Sequence, residues 1–367
     1  MTTRQRWFCL TMAVCLALTG CETNGSAGGD PGEITEETPL LHADGTVAAL
    51  GWARGPLMQY DRSLVQEERL AGLREWEYYA IFTPDFAVGL TLSNIQVVSF
   101  AILTVEDYLT GEIHSAMLLA DASALDFPPT PFGNTLFEAT NGSVEYRFEE
   151  GMRSITVLSG QEGADDRMEA RLELSDSRAT ESIAVVHGFD EPGQFFYENK
   201  RVSMPATGSV RVGKTVYELP EGRSFGVLDW GRGAWPHDVR WEWGHFTGMT
   251  DGRMVGINLG TVFADDSHGT ADALIVDGVL HKISRSEWDY DLDDLMAPWR
   301  FTSTDERIDL TLTPDFDDST TLSLGPSLTL TRWKVHGEMH GIAQLDDGSQ
   351  LQVEGIRGAA EYVEISW

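Results

Sequence analysis

Apolar and polar residues alternate in short runs along most of the chain, the period of two that belongs to half-buried β-strands. One series covers Phe86 to Leu92, Ile95 to Val105, Ile113 to Leu119, Ser143 to Phe148, Arg153 to Leu158, Met168 to Leu174 and Ile183 to Val186. A second runs from about Gly208 to the C-terminus and includes Ser209 to Val212, Thr215 to Leu219, Val239 to Phe246, Met254 to Leu259, Ile308 to Pro314, Leu328 to Met339 and Ala359 to Ile365. Asp251-Gly252, Asp277-Gly278 and Asp347-Gly348 are tight-turn signals between strands of the second series. Regular short strands with such turns predict an all-β protein of two antiparallel barrels or sandwiches in tandem. The halves are expected at residues 40–205 and 206–367.

The stretch from Phe225 to Gly260 stands out, because it holds four of the chain's eleven tryptophans. Strand alternation puts Val239, Trp241, Trp243 and His245 on one face and Arg240 and Glu242 on the other. Two indoles two residues apart form a broad apolar wall with N–H donors at its edge, which can fill a core or line a ligand cavity. Asp229 lies within the otherwise apolar run Val227-Leu228-Asp229-Trp230. A carboxylate buried there needs a partner, and Arg232, His237 and Arg240 are the candidates nearby in sequence. It serves either as an acid or base at a cavity or as one end of a structural bond that fixes the glycine-rich corner after it. Asn258, between Ile257 and Leu259 but facing the other way, hydrogen-bonds either a ligand or a backbone carbonyl.

Composition changes the picture at the N-terminus. Arg4 and Arg6 precede a short apolar stretch, Trp7 to Leu18, followed by Leu18-Thr19-Gly20-Cys21. This resembles the lipobox of bacterial lipoproteins, which implies a signal peptide at residues 1–20 and an acylated Cys21. Cys9 and Cys15 would leave with the signal, so the mature chain would carry no disulfide, thiolate nucleophile or cysteine metal site. Residues 21–39, glycine-rich and acidic, are expected to be a disordered tether. Removing residues 1–20 takes away two arginines and no acid, which leaves 24 basic and 58 acidic residues and a net charge of −34. Such a charge excludes nucleic acid as a partner. The expected location is the bacterial envelope, with Glu22 after the cysteine favouring the outer membrane.

GWARGPL, REWEYYA, the FGVLDWGRGAWP–WEWG–GINLG run, IVDGVLHKI, APWRFTSTDERIDLTLTP and the closing HGIAQLDDGSQLQVEGIRGAAEYVEISW together resemble the domain of unknown function 2804 family. More distantly, the order Phe196-Tyr197, Gly208-Ser209-Val210, Asp229, Trp241 and Trp243 is similar to lipocalin-like tandem-barrel proteins of the carotenoid hydratase (hydroxyneurosporene synthase) type. That resemblance implies two lipocalin-like barrels. Asp229 is followed by Trp230-Gly231-Arg232-Gly233, so the histidine and glutamate of that group's Asp-His-Glu-Trp-Gly motif are missing, and catalysis does not transfer with the architecture.

Other motifs fail on context. Gly208 to Thr215 matches the phosphate-loop spacing, but it alternates like a strand and predicts a hairpin turning near Val212-Gly213-Lys214. Asp289, Asp291, Asp293 and Asp294 lack the glycine and glutamate of a calcium loop. His336, Glu338 and His340 share a strand face expected to meet solvent, and no metal or cofactor is assigned. The reading that follows is a membrane-anchored protein binding an apolar or amphipathic small molecule in a barrel. Asp229, His237, Arg240, Trp241, Trp243 and Asn258 are its candidate ligand residues. The alternatives are a hydratase or isomerase with Asp229 as acid or base, and a purely structural envelope lipoprotein.

Overall fold

The computed structural model describes residues 32–161, 163–323 and 329–366. The expected signal peptide, Cys21 and the first part of the tether lie outside the described residues. The end of that tether is seated on the fold instead of being disordered. The Ile34 N–H donates to the Trp52 carbonyl at 2.7 Å, and Thr38–Pro39 pairs in parallel with Met58–Gln59. The acidic composition hid two residues with partners: Glu33, which meets Arg54 at 3.0 Å, and Ile34, which packs on the first core.

Two antiparallel sheets carry the fold. In the first, Leu73–Phe82, Phe86–Asn94, Ser99–Asp107 and Ile113–Ala120 pair in sequence, as do Thr135–Ala139, Gly142–Glu149, Met152–Ser159 and Met168–Ser175. Phe195–Val212 joins the two groups: its second part pairs with Met168–Ser175, and its first part pairs with Phe225–Ala234, which pairs with Leu73–Phe82. The sheet is a nearly closed barrel, and the second sheet, from Asp238–Thr250 to Gln350–Ser366, is a half-barrel. The boundary between sheets therefore falls after Ala234, not after Pro205.

The strand Phe195–Val212 explains that difference. Pro205 reads as a strand end, yet it pairs with Phe225 beside a bulge at Arg201 to Met204, where Ser203 has φ 68°. Bulges are where a strand tolerates proline and bends. Arg201 is drawn aside at this point, its Nε donating to Asp176 at 2.9 Å. Gly208 to Thr215 forms the expected hairpin, with Val212 paired to Thr215.

Each sheet has a filled core of its own, and the two sheets meet through their outer faces. Leu228, Trp230 and Ala234 point into the first core with Tyr79 and Ile81. Phe246, Phe301, Val335 and Met339 fill the second. A third cluster, including Phe82, Val202 and Val227 from one sheet and Ala273, Ile275 and Ala359 from the other, lies between them. All ten residues of Phe225–Ala234 are consequently buried.

Close packing at this junction uses glycine. A Cβ on Gly231 would lie 1.9 Å from the Trp76 ring, which stacks on Phe196 at 5.8 Å and has nowhere to turn without breaking that stack. Gly231→Ala is expected to lower stability by about 1–3 kcal/mol, the usual cost of overpacking. A denaturation midpoint equal to that of the parent protein would contradict this.

Candidate functional site

The junction brings together three of the six ligand candidates and leaves three at its margin. Asp229, Trp243 and Asn258 lie within it. Trp241, Trp243 and His245 share one face, as the alternation implied, and on the second sheet that face turns away from that sheet's core and toward the first barrel. Trp241 and Trp243 face the junction and not a barrel interior.

Asp229 pairs with none of its expected partners. Its cross-strand neighbours are Lys200 and Tyr78. The Lys200 ammonium stands 2.8 Å from Asp229 and 2.9 Å from Glu198, all three groups being buried. Arg232, three residues on, points the other way into the first barrel, toward Glu75 and Glu77 and over the rings of Trp230 and Phe127. Burial pushes the Asp229 carboxyl above its usual range; Lys200 pulls it back, and Glu198 adds to the rise. Burial opposes charge on Lys200 as well, but the two carboxylates hold its pKa above the ordinary value.

Lys200 reaches across the junction to lie 4.3 Å from the centroid of Trp243. The Trp243 indole donates to Asn258 Oδ1 at 2.9 Å, and Asn258 Nδ2 donates to the Ala271 carbonyl at 2.9 Å. Asn258 thus ties the Trp243 indole to the segment that leads into the strand Ala273–Val276. Trp243 also stacks on His245, with ring centroids 3.9 Å apart and planes at 25°. Burial first, then Lys334, His336 and Lys200, keep His245 neutral, with its pKa well below the usual value.

A second charged group lies alongside. Lys334 Nζ is 3.2 Å from Asp318, and Lys334 is cross-strand to Glu361, which accepts from the Trp241 indole at 3.0 Å. His336 is buried, contrary to the solvent face expected for it, while Glu338 and His340 are exposed. The same strand face begins against the first barrel and runs out into solvent. There His336 Nδ1 meets the Tyr108 hydroxyl at 2.9 Å and its ring lies 5.8 Å from Phe82. Burial holds His336 down to about 4.

His237 and Arg240 stay at the margin. His237 is exposed and bonded to Asp238 at 3.1 Å, and Arg240 is exposed on the face opposite Trp241. Arg240 and Trp241 do line a cleft of about 970 Å³ at the open end of the half-barrel, with Phe263, Ile365, Glu242 and Tyr362. Phe263 also packs at 5.7 Å on Trp235, which packs at 5.4 Å on Trp76. The apolar wall therefore continues from the cleft to the junction.

Glu198, Lys200, Lys334, Asp318 and Glu361 went unrecognised in the sequence. One signal was present: Glu198 and Lys200, opposite charges two residues apart on one strand face, lie in a stretch where every residue from Phe195 to Met204 is buried.

These features define a class: an antiparallel tandem-barrel protein whose barrels meet back to back over a buried layer of ion pairs and aromatic rings. The chain belongs to the domain of unknown function 2804 family, whose model matches residues 31–367. No match was found among curated proteins. Among solved structures, the chain is similar to CghA bound to Sch210972, with 13% identity and a TM-score of 0.47 over 80% of this chain and 88% of that one. It is similar to kievitone hydratase from Nectria haematococca, with 13% identity and a TM-score of 0.47 over 84% and 92%. It is also similar to a protein from Nitrosomonas europaea described as an AttH, with 12% identity and a TM-score of 0.48 over 84% and 96%.

Proposed function

We propose that this chain is a membrane-anchored binding protein for an apolar or amphipathic small molecule, lipid-like or isoprenoid-like. The molecule is held in the cleft at the open end of the half-barrel. The observation that carries this reading is the cleft itself. Its volume of about 970 Å³ falls in the range that small-molecule sites occupy. Trp241, Phe263 and Ile365 supply an apolar strip for the body of an amphipathic molecule, and the more numerous polar residues, Arg240, Glu242 and Glu364 among them, face its polar end. The anchor in this proposal is the acylated Cys21 that follows Leu18-Thr19-Gly20.

Binding is favoured over proton donation by Asp229. A catalytic acid must hand its proton to a substrate, whereas this carboxylate is already occupied by Lys200 at 2.8 Å.

The test is native mass spectrometry, with organic extraction, of the lipoprotein purified from its host's envelope. A stoichiometric apolar molecule is expected. Trp241→Ala is expected to weaken its rebinding about tenfold or more, followed by tryptophan fluorescence, because a large part of the apolar contact is lost. A protein that carries nothing, and whose melting temperature no lipid or terpenoid shifts, would instead support the purely structural lipoprotein.

A further inference from the structure

We infer that Glu242 receives the polar end of the bound molecule, and that this end is a cation: an ammonium carried on an apolar body. The inference rests on reading the cleft as a ligand site.

Glu242 lines the cleft at the point where it meets the second core. On one face of Asp238–Thr250, Asp238 and Arg240 are exposed, Glu242 is half-buried, and Phe246 lies in that core. Two hydroxyls hold the Glu242 carboxylate. Tyr290 donates to Oε1 at 2.7 Å, and Thr261 donates to Oε2 at 2.6 Å. Tyr290 packs against the second core and stacks on Trp299, with ring centroids 4.2 Å apart and planes at 11°. The carboxylate is therefore fixed before any ligand arrives, which is what a selective contact needs.

What this carboxylate lacks is a cation. An ionised carboxyl has about four acceptor positions, and the two hydroxyls take two of them. Among the described residues no ion pair forms on Glu242, whereas the half-buried Glu33 meets Arg54 at 3.0 Å and the buried Asp318 meets Lys334 at 3.2 Å. Arg240 is the one cation among the described residues that line the cleft. It stands directly opposite Glu364 in the strand register, nearer the solvent than Glu242. Three lining carboxylates, Asp238, Glu242 and Glu364, thus face one guanidinium.

That balance decides between polar ends. A carboxylate or phosphate would meet the acidic excess of the cleft and of a chain whose net charge is −32. A hydroxyl would give Glu242 one neutral hydrogen bond. An ammonium brings three donors and a full opposite charge, and a charge-assisted hydrogen bond is roughly twice as strong as a neutral one. Half-burial screens that attraction less than open surface does. Trp241 and Phe263 add aromatic surface, whose ring faces attract a cation, and with Ile365 they receive the apolar body.

The test uses the full-length lipoprotein in phosphatidylcholine nanodiscs and three probes that share one chain: decylamine, decanol and decanoate. Quenching of tryptophan fluorescence reads binding, and nanodiscs without the lipoprotein give the blank. Decylamine is expected to bind about tenfold tighter than decanol, the gain of a charge-assisted hydrogen bond over a neutral one, and decanoate is expected to bind weakest. In Glu242→Gln, which keeps the shape and an acceptor for Tyr290, the preference for the amine should vanish while decanol affinity holds. Glu173→Gln removes the same charge from an exposed position on the first barrel and should leave the preference intact. Arg240→Gln, at an exposed position, removes the cleft's own cation and should tighten decylamine binding. An amine preference that survives Glu242→Gln, or that falls equally in Glu173→Gln, would overturn the role of Glu242. So would weaker or unchanged decylamine binding in Arg240→Gln. Equal binding of amine and alcohol by the parent protein would overturn the cationic end and leave the binding reading standing. Tightest binding of decanoate would overturn the choice of polar end. Binding of none of the three would overturn both this inference and the function it rests on.

Discussion

Replacing Lys200 with methionine is expected to cost about 3–5 kcal/mol of folding stability, the range for breaking a buried ion pair from one side. The magnitude follows from what the substitution leaves behind. Asp229 and Glu198 are buried, and Lys200 lies within 3 Å of each, at 2.8 and 2.9 Å. Without the ammonium, two carboxylates face each other in a layer that water scarcely reaches. The ring of Trp243 also loses the cation that lies 4.3 Å from its centroid. Adding Asp229→Asn to the same chain removes one of the stranded charges and should restore part of the loss, a coupling that a double-mutant cycle reads directly. Urea unfolding is the measurement. A loss below 1 kcal/mol for Lys200→Met would mean that the junction admits enough water to solvate the carboxylates.

Acid should unfold the protein through its buried histidines. His187 and His336 are both held down to about 4, chiefly by burial, whereas the free side chain titrates near 6.5. Between those values the unfolded chain takes up a proton at each site and the folded chain does not. Stability is therefore full above pH 6.5 and falls as pH drops toward 4, by about 3 kcal/mol for each histidine. Glu77 works the other way. Burial pushes it up to about 7, so its contribution is present below pH 4.5 and is lost as pH rises through 7. It offsets about one histidine, and the net expectation is a loss of about 3 kcal/mol across the window. His336→Phe should flatten the curve of unfolding free energy against pH by about that amount. Parallel curves for parent and variant would show that His336 is protonated in the folded protein after all.

How far the sequence spoke depends on which partner each residue needed. Alternation along Asp238–Thr250 assigns Trp241, Trp243 and His245 to one face correctly, because the period of a strand is local. It does not say which face meets a core, since in this protein both do. Phe246 lies in the second core while His245 lies in the junction. The same ambiguity concealed His336, whose strand starts against the first barrel and ends in solvent. Asp229 was singled out as a buried carboxylate in need of a cation, and that need is met. The cation comes from a strand that is distant in sequence and adjacent in register, which no local pattern reports. Asn258 was read as bonding either a ligand or a carbonyl, and it bonds the Ala271 carbonyl.

The bulge at Arg201 to Met204 has a consequence for how such a protein can be taken apart or recombined. One strand serves both sheets: its early residues are laced to Ile183–Gly188 and Phe225–Ala234, its late residues to Met168–Ser175 and Thr215–Glu218, and its outward side chains to the second sheet. Neither half could be inherited, swapped or expressed alone without baring aromatic rings and unmatched charge on the other. A reversal of charge at position 200 would have to be answered at 198 and 229 in the same lineage. The two barrels therefore form one compact unit, and substitutions at their seam are expected to be tolerated only in matched sets.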